Sequence, residues 1–269
     1  MIYRDTNIQA ARAAGNFNTR RDSSGGRGSG RRGGGGSDPL AAAEASINSI
    51  ANLVINLDDR DLATGALTHW IDRKNAYDFA GTATKGAAGA TFNGTSDILT
   101  STAAISQLNG AGGSTVIFAG IDTSTAAAST AIEHGPTGVS AGKFSIYTDT
   151  AGGRVHSYGY VSTASDYYIT ETLATLCVIT AQFDISLAAA EAGVIRKNGA
   201  IVASTLVSNG NNAGTLGSFA LNLGARLTGP TNFWAGSFRK VLVFSRVLAA
   251  GECLQAERAV GVITGITVA

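Results

Sequence analysis

Cysteine is almost missing from this chain: Cys177 and Cys253 are the only two among 269 residues. Two thiols make no disulfide framework. One falls in the strand-like run 176–180 and the other in a helical stretch, so both read as small buried apolar residues. Synthesis in a reducing cytosol is the expectation. Long apolar runs are missing too. None approaches the ~20 residues that a membrane-crossing helix needs, so no membrane partner is expected. The start, Met1-Ile2-Tyr3-Arg4-Asp5, has no basic segment leading into an apolar one, so no signal peptide is expected. Charge is scarce as well, at 14% of residues against ~25% in soluble domains generally.

The usual marks of catalysis are absent. There is no Gly-x-Ser-x-Gly elbow and no Gly-x-x-x-x-Gly-Lys phosphate loop. His69, His134 and His156 are not spaced with other ligands as metal sites are, and His134 reads as loop. Glu133, Glu171 and Glu191 stand alone near expected loops. The acidic run Asp58-Asp59-Arg60-Asp61 reads as solvated turn charge, with Asp58 or Asp61 bonding local backbone N–H groups. No repeat of 20–50 residues marks a propeller or solenoid. The expectation is a protein without enzymatic activity.

Glycine, by contrast, is abundant at 35 residues. Eight of the twelve residues 25–36 are Gly and three are Arg. Residues 1–38 carry seven Arg and three Asp, so the basic character of the chain sits there, while the rest has a net charge of −3. Such a segment cannot bury enough apolar area to offset chain entropy. It reads either as a linker or as an arm that orders on a partner. In the second case Arg20, Arg21, Arg27, Arg31 and Arg32 are the partner-binding residues, their guanidinium forks meeting carboxylates, carbonyls or phosphates. Few aromatics interleave with these charges, so nucleic acid is not the expected partner.

Residues 39–52 read as a short helix or linker, with Asp38 as N-cap and Pro39 at the first helical position. Leu40, Ala43, Ile47 and Ile50 make its apolar stripe. From Leu53 onward the pattern is strand, turn, strand. Residues 115–121 form a nearly continuous apolar run, as in a strand covered on both faces. Phe144, Ile146 and residues 155–161 alternate with polar neighbours, the period of a half-buried strand. Asn198-Gly199 between two apolar arms predicts a type I′ hairpin. Residues 248–260 read as a helix with Glu252, Glu257 and Arg258 outward. Tyr158, Tyr160, Tyr167 and Trp234 are the aromatic candidates for a ligand surface, Tyr158 and Tyr160 sharing one strand face.

Several segments resemble a known family. Phe92-Asn93-Gly94-Thr95-Ser96-Asp97-Ile98-Leu99, the strand 115–119 and Ala181-Gln182-Phe183-Asp184 are similar to elements of concanavalin A-like/laminin G-like domains. So are the Lys197-Asn198-Gly199 hairpin, Leu223-Gly224-Ala225-Arg226, Phe233–Phe238, and the strand 241–248 followed by a helix. They occur in family order across about residues 53–262. The resemblance implies an all-β, two-sheet antiparallel jelly-roll sandwich. The N-terminal arm, the short helix and a C-terminal helix are appended to it, the sandwich with that last helix spanning 53–269. It also implies that any calcium would be held by Asp97, Asp122, Asp149 and Asp184, which form no acidic cluster; no cofactor is expected. Glycosidases of this fold carry a Glu-x-Asp-x-x-Glu-like strand, and none is present. By analogy the expected role is a bacteriophage virion structural or decoration protein, anchored by its arm to other virion proteins and to copies of itself. The alternatives are a glycan- or receptor-binding module of a fibre, and an enzyme acting on polysaccharide.

Overall fold

The structure is a computed structural model that describes residues 38–124, 128–136, 141–149, 153–160, 164–187, 193–209, 214–226 and 231–269. The arm, with Arg20, Arg21, Arg27, Arg31 and Arg32, lies outside the described residues.

One layer of strands contains β1 (Leu53–Asp58), β6 (Gly113–Asp122), β11 (Cys177–Asp184), β12 (Gly193–Lys197), β13 (Ala200–Ile201) and β16 (Ala235–Phe244). The other contains β2 (Gly65–Ile71), β5 (Ile98–Ser101), β7 (Ala128–His134), β8 (Lys143–Asp149), β9 (Arg154–Tyr160), β10 (Ala164–Thr170), β14 (Thr205–Asn209) and β15 (Leu221–Leu223). Two strands join them, β3 (Asp78–Gly86) and β4 (Gly89–Asn93). Thr84–Gly86 of β3 pair with β4, which lies beside β16, whereas Phe79–Thr82 pair with β5. The hydrogen-bonded path therefore runs continuously from β13 to β14, with β1 added at β16 and β2 at β3. Every pairing of named strands is antiparallel.

The two layers face each other through a single apolar core. Phe144, Ile146, Val155 and Ile169 from one meet Phe118, Ile179, Phe183 and Val241 from the other. The Phe144 and Phe183 rings stack at 4.8 Å between centroids. This is the jelly-roll sandwich that the sequence leads one to expect. The hairpin forms at Asn198 (φ 49°) and Gly199 (φ 90°), both in the left-handed region that the turn demands.

The outer face of the first layer is covered by two helices, α1 (Pro39–Ser49) and α2 (Ala250–Thr264). Along β6, Val116 and Phe118 point inward while Ile117 and Ala119 meet the helices, which explains its unbroken apolar run. Asp38 caps α1, its carboxylate accepting from Leu40 N at 3.0 Å. Ala43, Ile47 and Ile50 are buried, but Leu40 is 40% exposed, so the apolar stripe starts one turn later than the spacing predicts. Cys177 and Cys253 are free and buried, and burial pushes both thiols up to about 11.

Two charged groups that read as solvated are interior. Asp58 bonds Arg60 N as expected (3.0 Å), yet it is fully buried. It also meets Lys240 Nζ (2.9 Å), Arg60 Nε (2.8 Å) and Arg73 Nη1 (2.8 Å). Glu44 of α1 meets Lys240 (2.8 Å) and Arg73 (2.7 Å), and Asp61 meets Arg73 (2.6 Å). Three carboxylates and three cations thus tie α1, β1 and β16 together. Burial alone would raise Asp58; hydrogen bonds from Arg60 and the Lys240 charge outweigh it and hold the carboxyl well below its usual range. Glu257 likewise points inward from α2. It accepts from Thr180 Oγ1 (2.6 Å) and from Arg196 through Nε (2.7 Å) and Nη2 (3.0 Å).

His134 ends β7 in the core and is not in a loop. Its ring stacks on Phe144 (5.2 Å), and Nε2 donates to the Gly217 carbonyl at 3.0 Å. Burial holds its pKa down at about 4 from an ordinary 6.5. Between those values the unfolded chain takes up a proton that the native ring refuses, so stability falls as pH drops from 6.5 to 4. The loss is roughly 3 kcal/mol in all and is complete below 4. Urea titrations across this range should show the fall in the native protein. A His134→Phe variant should lack it, and an identical pH profile in both would refute the assignment.

Candidate ligand-binding face

Strands β7 to β10 turn alternate residues to the core and to the opposite face, where their registers align them into rows. Thr130, Glu133, Lys143, Ser145, His156 and Asp166 of that face are themselves buried. Glu133, Ser145, Tyr158 and Asp166 lie side by side across the four strands. The next row is Thr130, Tyr147, His156 and Tyr168, and the one beyond holds Asp149 and Arg154. Lys143 and Tyr160 pair on the opposite flank. Inward from the same strands come Ile132, Phe144, Ile146, Val155 and Ile169. The apolar set is enough to anchor the strands, and the outer face is left free to be polar and aromatic.

Within this face a recess of about 280 Å³ is lined by Thr130, Glu133, Lys143, Ser145, Tyr147, Tyr158, Arg226 and Asn232, with Ala128 at its edge. Such a volume lies at the small end of small-molecule sites, which run to ~300–1,000 Å³. Glu133 and Lys143 are each 1% exposed. Arg226 Nε stands 3.5 Å from Glu133 Oε1. The Lys143 ammonium lies 5.5 Å from the Tyr158 ring centroid and 5.8 Å from that of Tyr160. Burial and then the neighbouring Arg226 charge lower the Lys143 pKa, against the pull of Glu133.

Beside the recess, His156 holds the face rigid. Its Nδ1 is 3.0 Å from Asp166 Oδ1 and its Nε2 is 3.1 Å from Asp149 Oδ2. Tyr147 stacks on the imidazole at 4.3 Å and donates its hydroxyl to Asp166 Oδ2 at 2.7 Å. Burial first, and then Asp166, raise the Tyr147 phenol far above its usual value, so it acts as a neutral donor. Arg154 bonds Asp149 and lies 4.6 Å over the Tyr168 ring.

Of the four aromatic candidates read from the sequence, Tyr158 and Tyr160 stand on this face, half-buried, and Tyr158 lines the recess. The other two are corrected. Tyr167 points into the core at 5% exposure, its ring laid so closely over Gly193 that a Cβ there would approach it at 2.6 Å. Trp234 is fully buried and stacks on Phe238 at 5.6 Å. Glu133, Lys143, Arg226 and His156 are the residues that reading single segments missed. Glu133 is an outward residue of β7 and not a loop charge.

The four aspartates that the resemblance offered for calcium do not come together at one place. Asp97 accepts from Asn93 N within its own turn, and Asp184 from Ser186. Asp122 and Asp149 line one recess with Glu171, where Asp122 accepts from Ser124 N (2.7 Å) and Thr148 Oγ1 (2.5 Å). Among the described residues no group of three or more His, Cys, Asp or Glu is placed to hold a metal ion. Nor is any helix among them long and apolar enough to cross a membrane.

No family model and no curated protein matches the chain. Solved structures do. A Trypanosoma rangeli sialidase in complex with 2,3-difluoro-KDN aligns with a TM-score of 0.57 and 16% identity, over 84% of this chain and 38% of that one. Botulinum neurotoxin type C, which depends on interaction with two ganglioside molecules to get into cells, aligns at 0.56 and 11%, over 80% and 52%. The binding domain of botulinum neurotoxin DC in complex with SialylT aligns at 0.55 and 11%, over 79% and 52%. This chain therefore spans between about two-fifths and about half the length of those it matches. At such identities the likeness is one of fold: this chain is an antiparallel β-sandwich that shares its strand arrangement with parts of a sialidase and of neurotoxin binding domains.

Proposed function

We propose that this protein binds a glycan, without turning it over, through the outer face of β7–β10. The observation that carries this reading is the convergence on one recess of an aromatic ring, a buried carboxylate and two cations: Tyr158, Glu133, Lys143 and Arg226. A sugar offers a C–H face that packs on an aromatic ring, and hydroxyls that both donate and accept. Glu133, Asn232 and Arg226 supply complementary acceptors and donors. The network around His156 keeps these groups in place before binding, which lowers the entropy that binding costs. Proteins that contain a similarly folded part, a neurotoxin that interacts with gangliosides and a sialidase in complex with 2,3-difluoro-KDN, support the reading by analogy of fold. Display on a virion surface, beside other virion proteins and copies of this chain, is a further part of the proposal and rests on the arm's sequence alone.

A glycan array probed with the full chain tests the binding reading. At least one oligosaccharide class should be retained, and Tyr158→Ala should weaken that binding about tenfold or more without lowering the melting temperature. Retention of nothing by a folded sample, or equal binding by Tyr158→Ala, would count against it.

A further inference from the structure

We infer that β14 is a self-association edge, which pairs antiparallel with the β14 of a second copy of this chain about a two-fold axis. Among the described residues β14 ends the hydrogen-bonded path, with β10 on one side and no named strand on the other. Its outer N–H and C=O groups are a ready template for a further strand. The other edges are closed or unsuited. Along β1, Asn56 N donates to Asp72, Arg73 N donates to the Asn56 carbonyl, and the Asn75 amide donates to that of Val54. β13 is only two residues long. β2 carries a bulge beside the exposed His69–Asp78 pair, and the charged residues Asp72, Arg73 and Lys74 follow it directly.

β14 also lacks the charge and proline that keep strand edges apart. Neither a charged residue nor a proline occurs anywhere between Lys197 and Arg226. A two-fold axis sets a strand against its own copy, where any charge would face itself and repel. An uncharged strand escapes that penalty, which is why a second copy is the partner that fits. Leu206 and Val207 are 38% and 55% exposed, and pairing would cover them. Val207 is the middle residue of β14, so the two copies meet there, apolar against apolar. A bulge leaves Val207 without a partner on β10 and twists the edge, which confines the pairing to a few residues and keeps the dimer weak. Antiparallel pairing places the axis normal to the sheet, so the outer faces of β7–β10 in both copies lie on one side. Two recesses then point the same way, an arrangement suited to a repeated ligand. The pairing itself stands whatever that face binds.

Sedimentation equilibrium on the full chain is the test. A dimer should be populated by about 100 μM, as small and weak interfaces allow. Val207→Lys should raise its dissociation constant roughly tenfold or more and leave the melting temperature unchanged, since the side chain is exposed in the single chain. Val207→Cys locates the contact. Cys177 and Cys253 are buried, so a short bismaleimide should join two chains through the introduced thiols, and should join none in the native protein. A native chain that stays monomeric at that concentration overturns the inference. So does a dimer that Val207→Lys leaves intact, or one that Val207→Cys does not crosslink.

Discussion

Replacing Asp58 with Ala should destabilise the protein by about 3–5 kcal/mol. The reason lies in Lys240, whose side chain is fully buried and is met by Asp58 and Glu44. Removing Asp58 leaves an ammonium out of reach of water with one partially exposed carboxylate. Arg60 and Arg73 lose a partner too, but their side chains are about a third exposed and can turn to solvent. The cost is therefore concentrated on Lys240. For a domain of this size it corresponds to a fall in melting temperature of roughly 6–20 °C. The double variant Asp58→Leu with Lys240→Met should recover much of the loss, since no uncompensated buried charge remains. A single-variant change below about 1 kcal/mol would mean that Lys240 finds another way to be solvated. Acid acts on the same site: the folded-state pKa of Asp58 is depressed, so its contribution is present above the unfolded value near 4 and is lost as pH falls below it.

Glu257→Ala is the second large effect, expected at about 3 kcal/mol and expressed differently. Glu257 is the polar pin between α2 and the sheet beneath, bonded by Thr180 of β11 and by both arms of the Arg196 fork of β12. Arg196 is only 6% exposed and would keep just the Gly199 carbonyl. Because α2 covers the outer face of one layer and takes no part in the core between layers, its loosening should appear as local opening. Hydrogen exchange should accelerate across residues 250–264 while β7 to β10 stay protected. Glu257→Gln, which keeps an acceptor for Thr180 and one N–H partner for Arg196, should lose less. Uniform acceleration over the whole sandwich would contradict the idea of a separately pinned helix.

Much of the fold is legible in local pattern because local physics dictates it. Asn198-Gly199 marks its turn, since few residues accept left-handed backbone in succession. The apolar run of β6 reads as doubly covered, and both covers are found. Glu257 misleads because a helix lying on a sheet that itself carries Thr180 and Arg196 can bury a carboxylate. Its spacing in the helix looks the same whether it faces water or that pair. The Asp58 cluster draws on residues 44, 58, 60, 61, 73 and 240, and nothing within 58–61 announces the distant lysine.

The candidate face is half visible in the sequence. Alternation in residues 144–146 and 155–161 separates an inner from an outer set, and Tyr158 and Tyr160 follow from it. The alignment of β7 with β8, β9 and β10 is a matter of register across loops, so Glu133, Lys143 and Arg226 cannot be brought together on sequence grounds. Tyr167 and Tyr168 must point opposite ways, but only the contact with Gly193 decides which one is buried. Trp234 could have been either anchor or core, and its stack on Phe238 settles it as core.

The most direct test of the account is a crystal structure of the full chain with the oligosaccharide that an array selects. The sugar is predicted to sit over β8 and β9, its ring against Tyr158 and its polar groups within hydrogen-bond reach of Glu133 and Arg226. Density for the sugar anywhere else, over the two helices or in the recess of Asp122 and Asp149, with the Tyr158 recess empty, would contradict it.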